Sequence, residues 1–182
     1  RIGVLVAERL APFGVKLIAY DPYVSPARAA QLGVELRELN ELMAEADFVT
    51  IHIPRTPETT GLIGAEQFAV AKPTLRIVNA SRGGIIDEDA LAQALTQGQI
   101  AGAGLDVFVQ EPPANNSLTG IPGLQVTPHL GASTGEAQEK AGVAVAKSVR
   151  LALSGDLVPD AVNVAGGNIS EYVRPGIPLA EK

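Results

Sequence analysis

The spacing of apolar residues changes period repeatedly along the chain. Over residues 3–13, Val4, Leu5, Ala7 and Leu10 fall at helical intervals, and residues 16–20 follow as a short β-rich run that Asp21-Pro22 stops. Ser25 before Pro26 reads as a helix cap followed by a first-turn proline, and Gly33 as the stop. A short strand over 34–36, a helix over 40–46 and a strong strand over 47–53, closed by Pro54, come next. The rhythm then repeats: a helix over 64–71, Pro73, a strand over 75–78, and a helix over 87–95. Asp87, Glu88 and Asp89 suit the positive N-terminal end of that last helix. Residues 100–108 read as a Gly/Ala-rich strand with its turn and 124–127 as another strand. Residues 134–153 form the longest helix, stopped by Ser154-Gly155. Strands separated by helices predict an α/β fold with a parallel sheet.

Composition narrows the function classes. The net charge is −6 and the sequence has no Lys/Arg block, which argues against nucleic acid and anionic membrane as partners. There is no Cys, which excludes a disulfide framework, a thiolate metal site and a Cys nucleophile, and permits a reducing cytoplasm. The two His are well separated and no ligand cluster accompanies them, so no metal site is expected. Aromatic residues are only 4% of the chain, so the core must be built mostly from Ala, Val, Leu and Ile. No apolar run approaches the roughly 18 residues of a membrane span.

The chain opens inside a helix with Arg1-Ile2-Gly3, and Asp21 ends the next strand. In a dinucleotide fold, the third glycine of G-x-G-x-x-G lets the helix pack closely, and an acid about 20 residues on binds the adenosine ribose. Gly3 and Asp21 match the tail of that fingerprint. By itself the match is weak, because Asp before Pro is commonly a turn former. An acid at this place, followed by Pro22-Tyr23 rather than a base, favours NAD over NADP. On this reading the first strand and first two glycines lie outside the chain. It is expected to be a fragment that is inactive alone, with residues 1–154 as a partial NAD-binding domain and 155–182 as a linker and the start of another segment.

Three segments carry chemistry. Asn79-Ala80-Ser81-Arg82-Gly83-Gly84-Ile85-Ile86-Asp87-Glu88 runs a strand out into a turn with a lone Arg at the sheet's C-terminal edge, where ligands of parallel sheets bind. A guanidinium there can grip a carboxylate through two parallel hydrogen bonds, although most Arg side chains are merely solvated. Gly104-Leu105-Asp106-Val107-Phe108-Val109-Gln110-Glu111-Pro112 leaves a strand with one acid at its end and another in the loop. Either acid alone is commonly a cap or an exposed loop residue. Val126-Thr127-Pro128-His129-Leu130-Gly131-Ala132 places a His between a strand and the long helix. A lone His is more often structural, but beside a carboxylate it becomes a plausible general base.

Together, in this order, the three segments resemble the D-2-hydroxyacid dehydrogenase family, with its R-G-G-x-[IV]-[DN]-E, L-D-V-F-x-x-E-P and P-H signatures. Residues 127–138 and the exit Asp160-Ala161-Val162-Asn163-Val164 are similar to the branch whose substrate carries a phosphate, in its long bacterial form. The resemblance implies a Rossmann-type doubly wound parallel sheet and transfer of hydride between NAD and a small 2-hydroxy acid. It also implies a cytoplasmic, homo-oligomeric parent enzyme. Arg82 would bind the substrate carboxylate and carbonyl oxygen, His129 would take the hydroxyl proton, and Glu111 would orient His129. Arg1, Ile2 and Gly3 would approach the pyrophosphate and Asp21 the ribose. Ile53, Ala80, Ser81 and Asp106 would line the nicotinamide side, and the turn of His129, Leu130, Gly131 and Ala132 would close it. His52 reads as a packing or turn residue. A glyoxylate or hydroxypyruvate reductase would share Arg82, Glu111 and His129, and a corepressor-like NAD sensor can retain the same three. A formate dehydrogenase fits less well, since Gln stands there in place of Glu111.

Overall fold

The structure is a computed structural model that describes residues 2–113, 118, 120–159 and 161; Arg1 and most of 155–182 therefore lie outside the described residues. The chain starts with α1 (Ile2–Leu10), a 3-10 turn (Ala11–Phe13), β1 (Leu17–Ala19), α2 (Pro26–Gln31) and β2 (Val34–Leu36). It continues with α3 (Leu39–Glu45), β3 (Phe48–Ile51), α4 (Ala65–Val70), β4 (Arg76–Asn79), α5 (Glu88–Thr96), β5 (Gly102–Leu105), β6 (Leu124–Val126) and α6 (Gly135–Leu153). Two compact units divide it: Arg1–Gly131, which holds every described strand, and Ala132–Lys182, which holds α6.

The capping residues act as their sequence context suggests. Ser25 Oγ accepts from Arg28 N at 3.3 Å, Asp87 Oδ1 from Ala90 N at 3.0 Å, and Thr134 Oγ1 from Ala137 N at 3.1 Å. Gly33 closes α2 at φ 68, and Gly14 closes the first helical segment at φ 71, the left-handed region where only glycine is unstrained. The helix expected over 3–13 is α-helical only to Leu10. Pro12 removes a backbone donor, and the segment tightens into the 3-10 turn.

All strand pairing is parallel. β1 pairs with β2, and β3, β4, β5 and β6 follow one another in a separate four-stranded sheet. Three strands are shorter than expected: 16–20 narrows to Leu17–Ala19, 47–53 to Phe48–Ile51 and 124–127 to Leu124–Val126. The strand expected with its turn over 100–108 pairs over Gly102–Leu105, and the turn follows at the sheet's C-terminal edge.

β3 and β4 both alternate exposed and buried, so Val49, Ile51, Ile77 and Asn79 face the core. Helices α3, α4 and α5 bury Leu42 and Met43, Phe68, and Leu91, Ala94 and Leu95 in the same cluster. As the composition requires, this core is aliphatic apart from Phe68, Phe108 and Met43. Among the described residues no helix is long and apolar enough to cross a membrane.

Phe68 is 1% exposed and belongs to this cluster. Phe68→Ala is expected to lower the unfolding free energy of the complete protein by about 3–5 kcal/mol, the usual cost of emptying an aromatic site in a packed core. Denaturant titration with an unchanged slope checks this, and a loss under about 1 kcal/mol would place Phe68 outside the core.

Candidate active site

Every candidate residue within the described sheets follows the C-terminal end of a parallel strand. Asp21 lies just past β1, Ile53 past β3, Ala80, Ser81 and Arg82 past β4, Asp106 past β5, and His129, Leu130 and Gly131 past β6. Ile2 and Gly3 form the first turn of α1, Arg1 lies outside the described residues, and Ala132 opens the second unit.

The turn after β4 is shaped by a residue that sequence reasoning passed over. Asn79 ends β4 on its buried file and is 2% exposed. Its Nδ2 donates to Arg82 O at 2.9 Å, and its Oδ1 accepts from Ser81 N at 3.0 Å and Ser81 Oγ at 2.9 Å. A buried amide must find such partners, and here it finds them in the turn that carries Arg82. Its signal was present in the alternation, which puts a polar side chain in the file of Ile77. The Arg82 side chain is exposed, and its Nη1 donates to Ser81 O at 2.6 Å.

Gly83 cannot be anything else. A Cβ there would stand 1.7 Å from Phe108 O, so the backbone of the Arg82 turn lies directly against that of the loop carrying Glu111. In this loop Glu111 Oε1 accepts from Phe108 N at 3.0 Å, while its Oε2 faces His129 Nδ1 at 2.6 Å. The hydrogen bond to His129 chiefly, then that to Phe108 N, holds the Glu111 carboxyl below the usual carboxylate range. An ionised Glu111 only accepts hydrogen bonds, so His129 donates to it from Nδ1.

Asp106 organises the third segment. Its Oδ1 accepts from Thr127 Oγ1 and from Leu130 N at 2.8 Å, and its Oδ2 from Gly131 N at 2.8 Å. Burial opposes its charged form, but the donors from Thr127, Leu130 and Gly131 outweigh burial, and the carboxyl lies below its usual range. Between these anchors His129 adopts φ 57, the one positive value at a non-glycine position among the described residues.

The candidate Asp21, and His52, stand apart from this group. Asp21 is exposed, and its Oδ1 accepts from Tyr23 N at 2.9 Å, a turn interaction. His52 has a partner that its sequence context did not reveal: its Nε2 lies 3.0 Å from Thr50 Oγ1, two residues back on the same face of the strand. Burial pushes the His52 imidazole below its usual range. A Cβ at Gly3 would meet His52 at 3.6 Å, so the start of α1 lies close to the end of β3.

The family model for the NAD binding domain of D-isomer specific 2-hydroxyacid dehydrogenases matches residues 1–131. The chain belongs to this family. It is 59% identical over 182 residues to a D-3-phosphoglycerate dehydrogenase of Mycobacterium tuberculosis, covering 100% of this chain and 34% of that protein. The chain thus spans about a third of the length of the curated relatives it matches. Among solved structures, a formate dehydrogenase from Granulicella superposes with a TM-score of 0.82 at 29% identity, over 93% of this chain and 46% of that one. A D-lactate dehydrogenase with NAD+ from Lactobacillus jensenii superposes at 0.76 and 26%, over 86% and 51%. The Rossmann-type doubly wound reading of this family domain agrees with these neighbours.

The lowered pKa of Asp106 makes the turn of His129 sensitive to acid. A carboxyl lowered on folding stabilises the native state above its unfolded value, and that stability is lost as pH falls through the folded value. Thr127→Val removes one donor and so raises the folded value. The acid limit of folding should then move to higher pH, read from the unfolding midpoint of the complete protein across pH 3–7 (about the carboxyl range). An acid limit equal to that of the wild type would mean that Thr127 does not support the charge.

Proposed function

We propose that this chain is the NAD-binding part of a dehydrogenase that oxidises 3-phosphoglycerate, a 2-hydroxy acid, at the entry to serine biosynthesis. The observation that carries this is the 2.6 Å contact between His129 Nδ1 and Glu111 Oε2, on a loop packed against the turn of Arg82. The matched relatives are named D-3-phosphoglycerate dehydrogenase, which supports the choice among 2-hydroxy acids.

The chemistry assigns one task to each group. Arg82 grips the substrate carboxylate with its planar fork and turns the 2-hydroxyl toward His129. His129 Nε2 takes the hydroxyl proton as the C2–H pair leaves, so the C–O bond becomes a carbonyl and His129 becomes imidazolium. Glu111, ionised and fixed by Phe108 N, holds the ring orientation and offsets the new positive charge. In the reverse direction the same proton returns to the carbonyl oxygen.

The site fits a dinucleotide. Asp21 is an exposed carboxylate at the edge of β1, with one oxygen turned to Tyr23 N, and it would hold the ribose diol and repel a 2′-phosphate. Ile2 and Gly3 would lie at the pyrophosphate, with Arg1 beside them. Ile53, Ala80, Ser81, Asp106, Leu130, Gly131 and Ala132 would border the nicotinamide. When bound, NAD supplies the acceptor for hydride. The complete protein is a cytoplasmic homo-oligomer on this reading, and its substrate is a small molecule.

Turnover tests the proposal. The complete protein should reduce NAD with 3-phosphoglycerate and prefer NAD to NADP in kcat/KM, and it should act poorly on glycerate, which lacks the phosphate. Arg82→Lys keeps the charge but loses the fork. It should lower kcat/KM by about 100-fold, with NADH affinity by fluorescence titration unchanged. Equal rates with glycerate and 3-phosphoglycerate would refute the substrate assignment, and a matched loss of NADH binding would move Arg82 to the cofactor.

A further inference from the structure

One peptide unit joins two of the catalytic segments. The carbonyl of Phe108 lies against Gly83, where a Cβ would come within 1.7 Å of Phe108 O and 2.7 Å of Val109 N. The N–H at the other side of the same peptide, on Val109, donates to Glu88 Oε1 at 2.7 Å. Gly83 and Glu88 belong to one stretch of chain, the stretch that leaves the Arg82 turn and enters α5. That stretch therefore holds the Phe108–Val109 peptide at both its oxygen and its nitrogen. The preceding N–H, on Phe108, donates to Glu111 Oε1 at 3.0 Å. The orientation of the 108–109 peptide thus bears directly on where Glu111 stands, and Glu111 Oε2 in turn meets His129 Nδ1.

We propose that Glu88 is a positioning residue for the Glu111–His129 pair, acting by clamping the Phe108–Val109 peptide against Gly83. Glu88 touches neither substrate nor cofactor in this assignment. Asp87 already caps α5 through Ala90 N, so the helix start does not depend on Glu88 for its cap. Val109 is 52% exposed, so without Glu88 its N–H turns to water and the loop gains freedom. The clamp also makes Arg82 and Glu111 move together, although they are far apart in sequence.

This inference rests on the reading of Glu111 and His129 as the proton-transfer pair, and the test separates the two. In the complete protein, Glu88→Ala removes the acceptor, Glu88→Gln keeps a carbonyl oxygen at the same reach, and Glu88→Asp keeps the charge but withdraws the oxygen by one methylene. Glu88→Ala and Glu88→Asp should lower kcat by about ten-fold with KM for NAD unchanged, whereas Glu88→Gln should recover most of the rate. The downfield NMR signal of the His129 Nδ1 proton should broaden or vanish in the Ala and Asp variants and persist in Gln. If the Ala variant does not fold, the Asp variant carries the comparison. An intact Nδ1 signal in Glu88→Asp, or a Gln variant as impaired as Asp, overturns the proposal. A wild-type protein without turnover would overturn the dehydrogenase reading, and the Nδ1 signal would still decide the clamp.

Discussion

The ends of three neighbouring strands are joined through Asp106. Its backbone N–H donates to Asn79 O at 3.0 Å, which ties the end of β5 to the end of β4. Its carboxylate accepts from Thr127, Leu130 and Gly131, which ties the same point to the turn after β6. β5 lies between β4 and β6 in the sheet, so one residue past its end can reach both. The turn carrying Arg82, the loop carrying Glu111 and the left-handed His129 are all assembled around this position. A non-glycine residue at positive φ is costly in an unconstrained turn. Three donors on one buried carboxylate on the two sides of His129 supply the constraint that holds it there.

The same arrangement decides the charge states. Burial alone would favour a neutral Asp106, and the three hydrogen bonds reverse that. Glu111 is held ionised mainly by its contact with His129. The salt links of Lys16 and Arg37 with Glu35 and Glu45 lie elsewhere, on the partly exposed side chains around the small sheet and α3.

Much of the fold was legible because its signals are local. Ser25, Asp87 and Thr134 cap the helices they precede, and the strand 34–36 was placed to the residue. The pattern over 47–53 overruns its strand, since apolar composition continues past Ile51 into a loop without strand pairing. In the site, Arg82, Glu111 and His129 stood out through motif order. The roles of Asn79, Thr127 and Glu88 did not. The Asp106 and Glu88 bonds join residues 21 to 25 positions apart, beyond what any local pattern encodes. The Thr50–His52 pair is local and follows from strand geometry, so a reading by strand face would have found it. The expectations for Arg1 and for the segment after residue 161 fall outside the described residues.

On the proposed function, the Glu111–His129 pair is the group that moves the proton. The direct measurement is the pH profile of kcat/KM for 2-hydroxy acid oxidation by the complete protein, in the wild type and in Glu111→Gln. Gln fills the same space but removes the charge that favours imidazolium, so the ascending limb should move to lower pH and the plateau should fall. A limb that stays where the wild type has it would show that Glu111 does not govern the base, and would contradict the account.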